Sequence, residues 1–210
     1  VTSLRDLSVD GFTGALASGA ATPGGGSASA LSGALAASLV AMVARNTAAN
    51  PSFADRAAAL EEIESDAERH RRELVGLVDE DAAAFERVMA AFRLPRETPE
   101  HKEARSREIQ ASYKAAVEPP LSVCDHAVAV LGLAERIARL GNPNAVSDAG
   151  VAALLAASAL EGAALNVETN LGSIKDEAYR TQSASTVQGA RSTGARLRDE
   201  ALATVRETLG

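Results

Sequence analysis

The sequence predicts an all-α protein: one domain over residues 1–210, built as a bundle of about six or seven helices with long antiparallel neighbours. Three observations carry this. Alanine is the commonest residue, and it is the best helix former and a poor strand former. No segment shows the β-branched alternation of a half-buried strand, whereas apolar residues recur at spacings of three and four along much of the chain. Aromatics are only 3 % of a chain that is 46 % hydrophobic, so the core is made of thin side chains that let helices approach closely.

Each element follows from local signals. A first helix is expected from about Ser3 to Ser18, weakened by Gly11 and Gly14. Thr22-Pro23-Gly24-Gly25-Gly26 interrupts it, and a second helix continues to about Asn46. Asn50-Pro51-Ser52 marks a turn, after which Leu60, Ile63, Ala67, Leu74, Leu77, Asp81, Phe85, Val88 and Phe92 form one long helical stripe. At 1.5 Å per residue that run of some 40 residues spans on the order of 60 Å. Leu94-Pro95 stops it. Thr98-Pro99-Glu100 restarts a helix with an N-cap, a first-turn proline and an acid near the positive end. Pro119-Pro120 is expected to break or kink this helix, because proline lacks a donor and clashes with the preceding turn. The pattern resumes through Val123, Val128, Leu131 and Ile137 to a Gly141 cap and the turn Gly141-Asn142-Pro143-Asn144. Ser147 or Asp148 is read as the cap of a helix running from Ala149 to about Leu171, and a more polar helix closes near Leu209.

Composition excludes some functions. A formal charge of −7, from 28 acidic against 21 basic residues, argues against a nucleic-acid surface. The uncharged stretch from Gly11 to Ala44 is long enough for a membrane span, but serines and glycines dilute it and alanine adds little transfer energy, so a buried bundle helix is expected and no membrane partner. The lone Cys124 rules out an internal disulfide and reads as a small core residue. No secretory signal pattern opens the sequence, and a reducing cytoplasm is the expected location. His70, His101 and His126 share no ligand spacing and no HExxH pattern, which argues against a metal.

Four features point to chemistry. Gly24, Gly25, Gly26 and Ser27 lead into a helix with unhindered N–H groups, suited either to an anionic ligand or to close backbone packing. Asp81 sits on the core-facing stripe, where a carboxylate needs a partner or a proton, while Asp79 and Glu80 can take the polar side. Arg105 shares a face with Ile109 and either clamps a carboxylate or pairs with a surface acid. Asn142, Asn144 and Asp148 precede one apolar helix, and Asn166 and Asn170 lie one turn apart near its end. Such amides either read a heterocycle edge or bond one helix to another.

These segments carry a family resemblance. "TPGGGSASALSGALAASLVAMVARNT", "DEDAAAFERVMAAFRLP", "RSREIQASYKAAVEPPLSV" and "GNPNAVSDAGVAALLAASALEGAALNVETNL" resemble the formiminotetrahydrofolate cyclodeaminase and methenyltetrahydrofolate cyclohydrolase family, in order, over most of Thr22 to Leu171. The resemblance implies an all-helical homodimer that acts on a reduced folate, with no cofactor beyond the tetrahydrofolate derivative used as substrate. It implies hydrolysis of 5,10-methenyltetrahydrofolate to 10-formyltetrahydrofolate, with ammonia-releasing cyclodeamination or noncatalytic folate binding as alternatives. Nothing in the sequence matches the transferase half found in bifunctional members. The motif positions that carry over are Gly24, Gly25, Gly26, Ser27, Asp81, Arg105, Asn142, Asn144, Asp148, Asn166 and Asn170. Asp81 or Asp148 is the expected general acid–base group, with the others binding substrate.

Overall fold

The computed structural model describes residues 3–210, and all regular elements among them are helical. A 3₁₀ turn at Leu4–Asp6 precedes α1 (Val9–Ala17), so the expected first helix is divided at Leu7 and Ser8. The Ser8 hydroxyl accepts from the Gly11 N–H and starts α1 afresh, because a capping serine competes with continuation of the helix. Five long helices follow: α2 (Gly25–Ala48), α3 (Ala57–Phe92), α4 (Pro99–Leu140), α5 (Val146–Leu171) and α6 (Glu177–Leu209).

Cross-contacts set their directions. Ser27 meets Asp81 while Arg45 meets Glu64, so α2 and α3 run antiparallel. Ser32 bonds the Leu155 carbonyl and Gly25 faces Asn166, which makes α2 and α5 antiparallel as well. The outer pairs α3–α4, α4–α5 and α5–α6 alternate in the same way, joined by short turns. The α2–α5 seam is close because small residues line it. A Cβ on Gly162 would lie 2.3 Å from the Ser29 hydroxyl oxygen. Fully buried Ala30, Ala37, Ala156 and Ala159 continue the seam, so its apolar burial comes from many small contacts rather than a few large side chains.

Both α2 and the Pro143–Leu171 stretch are long and apolar enough to cross a membrane by length and composition. Here they are the central pair of the bundle, flanked by α3, α4 and α6.

Two local expectations are corrected. Of the break or kink expected at Pro119 and Pro120, the break does not occur: α4 continues from Pro99 to Leu140. Pro120 leaves the Ala116 carbonyl without its usual N–H partner four residues on, and the Asn170 amide donates to that oxygen at 2.9 Å. The neighbouring helix thus supplies the bond that proline removes. Similarly, neither Ser147 nor Asp148 caps α5. The 3₁₀ turn Pro143–Ala145, capped by the Asn142 side chain, carries the chain directly into Val146, and Asp148 falls inside the first turn.

Candidate active site

One end of the bundle holds the start of α2, the second half of α3, the first half of α4 and the end of α5. Between them lies a cavity of about 370 Å³. Its floor is the N-terminus of α2. Gly24 occupies the N-cap position with no side chain to satisfy the first-turn N–H groups, and Gly24, Gly25 and Gly26 all line the space. Three bare residues therefore present backbone donors at the positive end of a 24-residue helix.

Asp81 stands over this turn. Its Oδ2 accepts from the Ser27 hydroxyl at 3.0 Å, and the same oxygen of Ser27 lies 3.0 Å from the Val78 carbonyl. A Cβ on Gly26 would sit 2.0 Å from Asp81 Oδ1, so glycine is required there by the carboxylate rather than by backbone conformation. Burial pushes the Asp81 pKa above the usual carboxylate value, with the Ser27 hydrogen bonds pulling the other way. The group is thereby shifted towards the range in which a carboxyl both takes and returns a proton.

The neighbouring acids divide as the stripe predicts. Glu80 is exposed, and Asp79 holds the N-terminal segment: it accepts from the Leu4 N–H at 2.7 Å and from the Ser3 hydroxyl, and it pairs with Arg5. Only Asp81 of the three lines the cavity.

Asn166 and Asn170 form the opposite wall. The Asn166 amide donates back to the Gly162 carbonyl at 2.8 Å and packs against Gly25. Asn170 donates to Ala116, as described. Each amide has thus committed a donor within the protein while its residue still lines the cavity. Asn170 makes the helix-to-helix bond that one sequence reading expected, Asn166 bonds within α5, and both residues line the cavity.

The aromatic wall was missed by the sequence reading. Phe85 and Phe92 belong to the α3 stripe and read as core, yet they remain 38 % and 42 % exposed because they face the cavity. Tyr113 joins them edge-on to Phe92, with ring centroids 6.2 Å apart. Three of the chain's six phenylalanine and tyrosine rings therefore gather at one site. The available signal was their crowding at the end of the stripe, where the core has otherwise no need of large rings.

Four expected site residues lie elsewhere in the chain's fold. Arg105 donates to the Phe92 carbonyl at 3.1 and 3.3 Å and covers the outer side of that ring, capping the end of α3 instead of entering the cavity. Asn142, Asn144 and Asp148 sit at the other end of the bundle. Eighteen residues of continuous helix separate Asp148 from Asn166, about 27 Å at 1.5 Å per residue. The Asn142 side chain accepts from the Asn144 N–H at 3.0 Å, and its own N–H donates to Thr47 Oγ1 at 3.0 Å. These are turn contacts that join the ends of α2 and α4. Cys124 is fully buried, and burial pushes its thiol up to about 12, as befits a core residue.

These contacts define a helical-bundle protein with a cavity at one end, lined by a carboxyl, two amides, the glycine turn of α2 and three aromatic rings. Its lineage is specific. Residues 8–189 match the formiminotransferase-cyclodeaminase family, and the chain belongs to that family. It is 41 % identical over 181 residues to a methenyltetrahydrofolate cyclohydrolase of Methylorubrum extorquens, covering 86 % of this chain and 87 % of that one. It is 32 % identical over 178 residues to the formimidoyltransferase-cyclodeaminase of Mus musculus, covering 85 % of this chain but only 33 % of the mouse protein. Its fold matches the crystal structure of a formiminotetrahydrofolate cyclodeaminase from Thermotoga maritima with a TM-score of 0.89 and 26 % identity, over 99 % of this chain and 100 % of that one.

Proposed function

We propose that the protein hydrolyses 5,10-methenyltetrahydrofolate to 10-formyltetrahydrofolate at the cavity between α2, α3, α4 and α5. The observation that carries this reading is Asp81, a half-buried carboxyl of raised pKa, held by Ser27 against Gly26 at the N-terminus of α2. The near full-length likeness to a cyclohydrolase supplies the reaction class.

The chemistry balances on one carboxyl. Water adds to the methenyl carbon while Asp81 takes one of its protons, giving a neutral tetrahedral carbon that bears a hydroxyl between N5 and N10. The carbon–N5 bond then breaks, Asp81 returns its proton to N5, and the hydroxyl proton leaves as the formyl C=O forms on N10. One water is consumed and one proton released. Phe85, Phe92 and Tyr113 offer apolar faces to the ring system, and the amides of Asn166 and Asn170 offer polar contacts at its edges. The first-turn N–H groups of α2 stabilise the negative charge that Asp81 carries before proton transfer.

The specific observation for a second reading, cyclodeamination, is the 0.89 TM-score to a cyclodeaminase over both whole chains. In that reaction N10 attacks the formimino carbon on N5 and ammonia departs, so the same carboxyl moves the protons. A paired assay separates the readings through the methenyl chromophore. Enzyme-dependent loss of absorbance with 5,10-methenyltetrahydrofolate identifies the hydrolase. A gain with 5-formiminotetrahydrofolate identifies the deaminase, and no change in either leaves a folate-binding module.

The protein also acts, on this reading, as a homodimer. Leu35 on α2 and Val151, Leu154 and Leu165 on α5 are about half exposed on the outer side of the central helix pair, a face with no charge between Asp148 and Glu161 on α5 and none from Gly25 to Ala44 on α2. A second copy of the same face is its natural cover. Leu154→Asp is expected to halve the mass seen by sedimentation; an unchanged mass contradicts the interface.

A further inference from the structure

Away from the cavity, α3 and α4 bring together two of the chain's three histidines. His70, 8 % exposed, points from the core-facing stripe of α3 at His126 of α4, with their Nδ1 atoms 2.8 Å apart. Glu73, one turn beyond His70, places Oε2 3.4 Å from the same Nδ1 of His126. The three ligand atoms all lie within 4.8 Å of one another. His70 is eleven residues before Asp81 on the same helix, about 16 Å along its axis, so the cluster is separate from the cavity.

Proton placement leaves this cluster poorly satisfied. Arg69 Nη2 lies 3.2 Å from His70 Nε2, and a guanidinium can only donate. A neutral His70 accepting that bond carries its proton on Nδ1 and donates it to His126 Nδ1. The Glu73 carboxylate then faces a His126 nitrogen with no proton to offer. The opposite tautomers serve Glu73 but set an N–H of His70 against Arg69. Neutral imidazoles therefore satisfy Arg69 or Glu73, not both. Protonating both rings does not help, because it sets the two Nδ1–H groups against each other and an Nε2–H against Arg69.

A divalent cation resolves it. We infer that His70, Glu73 and His126 form a binding site for a first-row transition metal of the zinc, cobalt or nickel class, clamping the middle of α3 to α4. Two imidazole nitrogens and one carboxylate oxygen are the donor set such ions take, with a fourth position left to water. Two bonds of about 2.0–2.1 Å at a tetrahedral angle hold the nitrogens roughly 3.3 Å apart, so the observed pair needs to open by only about 0.5 Å. The His70 Nε2–H then displaces Arg69, which already bonds Asp66 at 3.0 Å and is half exposed. Entry is open, because His126 and Glu73 reach solvent.

Titration of tag-free protein with Co²⁺ tests this. The expected result is one Co²⁺ per chain with visible d–d absorption, displaced by Zn²⁺, and a Zn²⁺-dependent rise in melting temperature. His126→Gln and Glu73→Gln, both on solvent-reaching positions, are expected to weaken binding at least about tenfold, the lower end of what disturbing even an outer partner of a metal ligand costs. His101→Gln, the remaining histidine, serves as the control and should bind as the parent does. Turnover should be equal in all of these variants. Absence of stoichiometric Co²⁺ absorption, or unaltered binding by His126→Gln, would overturn the site.

Discussion

The two ends of the bundle look alike in sequence and differ in what their polar residues do. At each, a proline and small or amide residues precede an apolar, nearly uncharged helix: Thr22–Gly24 before α2 and Gly141–Ala145 before α5. At the α5 start, side chains close the turn on itself, with Asn142 capping Asn144 and its N–H reaching Thr47. At the α2 start, glycines leave the first-turn N–H groups without a side-chain cap, and the side chains that face them come from α3 and α5. A polar motif that satisfies itself is architecture. One that opens onto a cavity, faced by a half-buried acid from a distant segment, is a candidate site.

That contrast yields its largest test in Asp81→Asn against Asp148→Asn. The first is expected to lower turnover by about 10²–10⁴-fold, the usual loss for a general acid–base group, while the second leaves turnover unchanged. The same Asp81→Asn variant should be more stable than the parent at neutral pH. Because the folded-state pKa of Asp81 is raised, its protonated form is favoured in the fold; the stabilisation is present at low pH and lost as pH rises through that pKa. An amide that never ionises escapes that loss. A thermal melt checks it, and a lower melting temperature for the variant at pH 7 would contradict the burial argument.

Gly26→Ala comes next. Its Cβ would overlap the Asp81 carboxylate, and a displacement of about 1 Å is expected to cost about 10²-fold in kcat. A smaller effect separates position from proton affinity: Ser27→Ala removes a hydrogen bond that lowers the Asp81 pKa, so the acid limb of the kcat profile should move to higher pH. A limb that stays in place would assign it to another group. Finally, Asn170→Ala orphans the Ala116 carbonyl and should cost about 1–3 kcal/mol in stability by denaturant titration. Asn142→Ala, at the other end, should cost about 0.5–2 kcal/mol as a lost cap and leave turnover intact.

Much of this was legible because it is local. Helical periodicity gave the number of helices, Thr98 capped α4 as expected by accepting from His101, and the α3 stripe placed Asp81 inward while leaving Glu80 outside. What was not legible is relational. Spacing puts Asp148 and Asn166 on one helix, yet their separation along 18 residues carries them to opposite ends. The proline pair in α4 reads as a break until Asn170, 50 residues later, supplies the missing donor. Arg105 shares a face with the interior, but that face at the start of α4 meets the end of α3, not the cavity. His70 and His126 lie 56 residues apart, and only the antiparallel pairing of α3 and α4 brings them together.

The most direct measurement is a crystal structure with a stable reduced folate bound. The account predicts the ring system against Phe85, Phe92 and Tyr113, with its N5–N10 edge within hydrogen-bonding reach of Asp81 and of Asn166 or Asn170. A folate seated instead at the Asn142–Asp148 end, with the α2 N-terminus unoccupied, would contradict it.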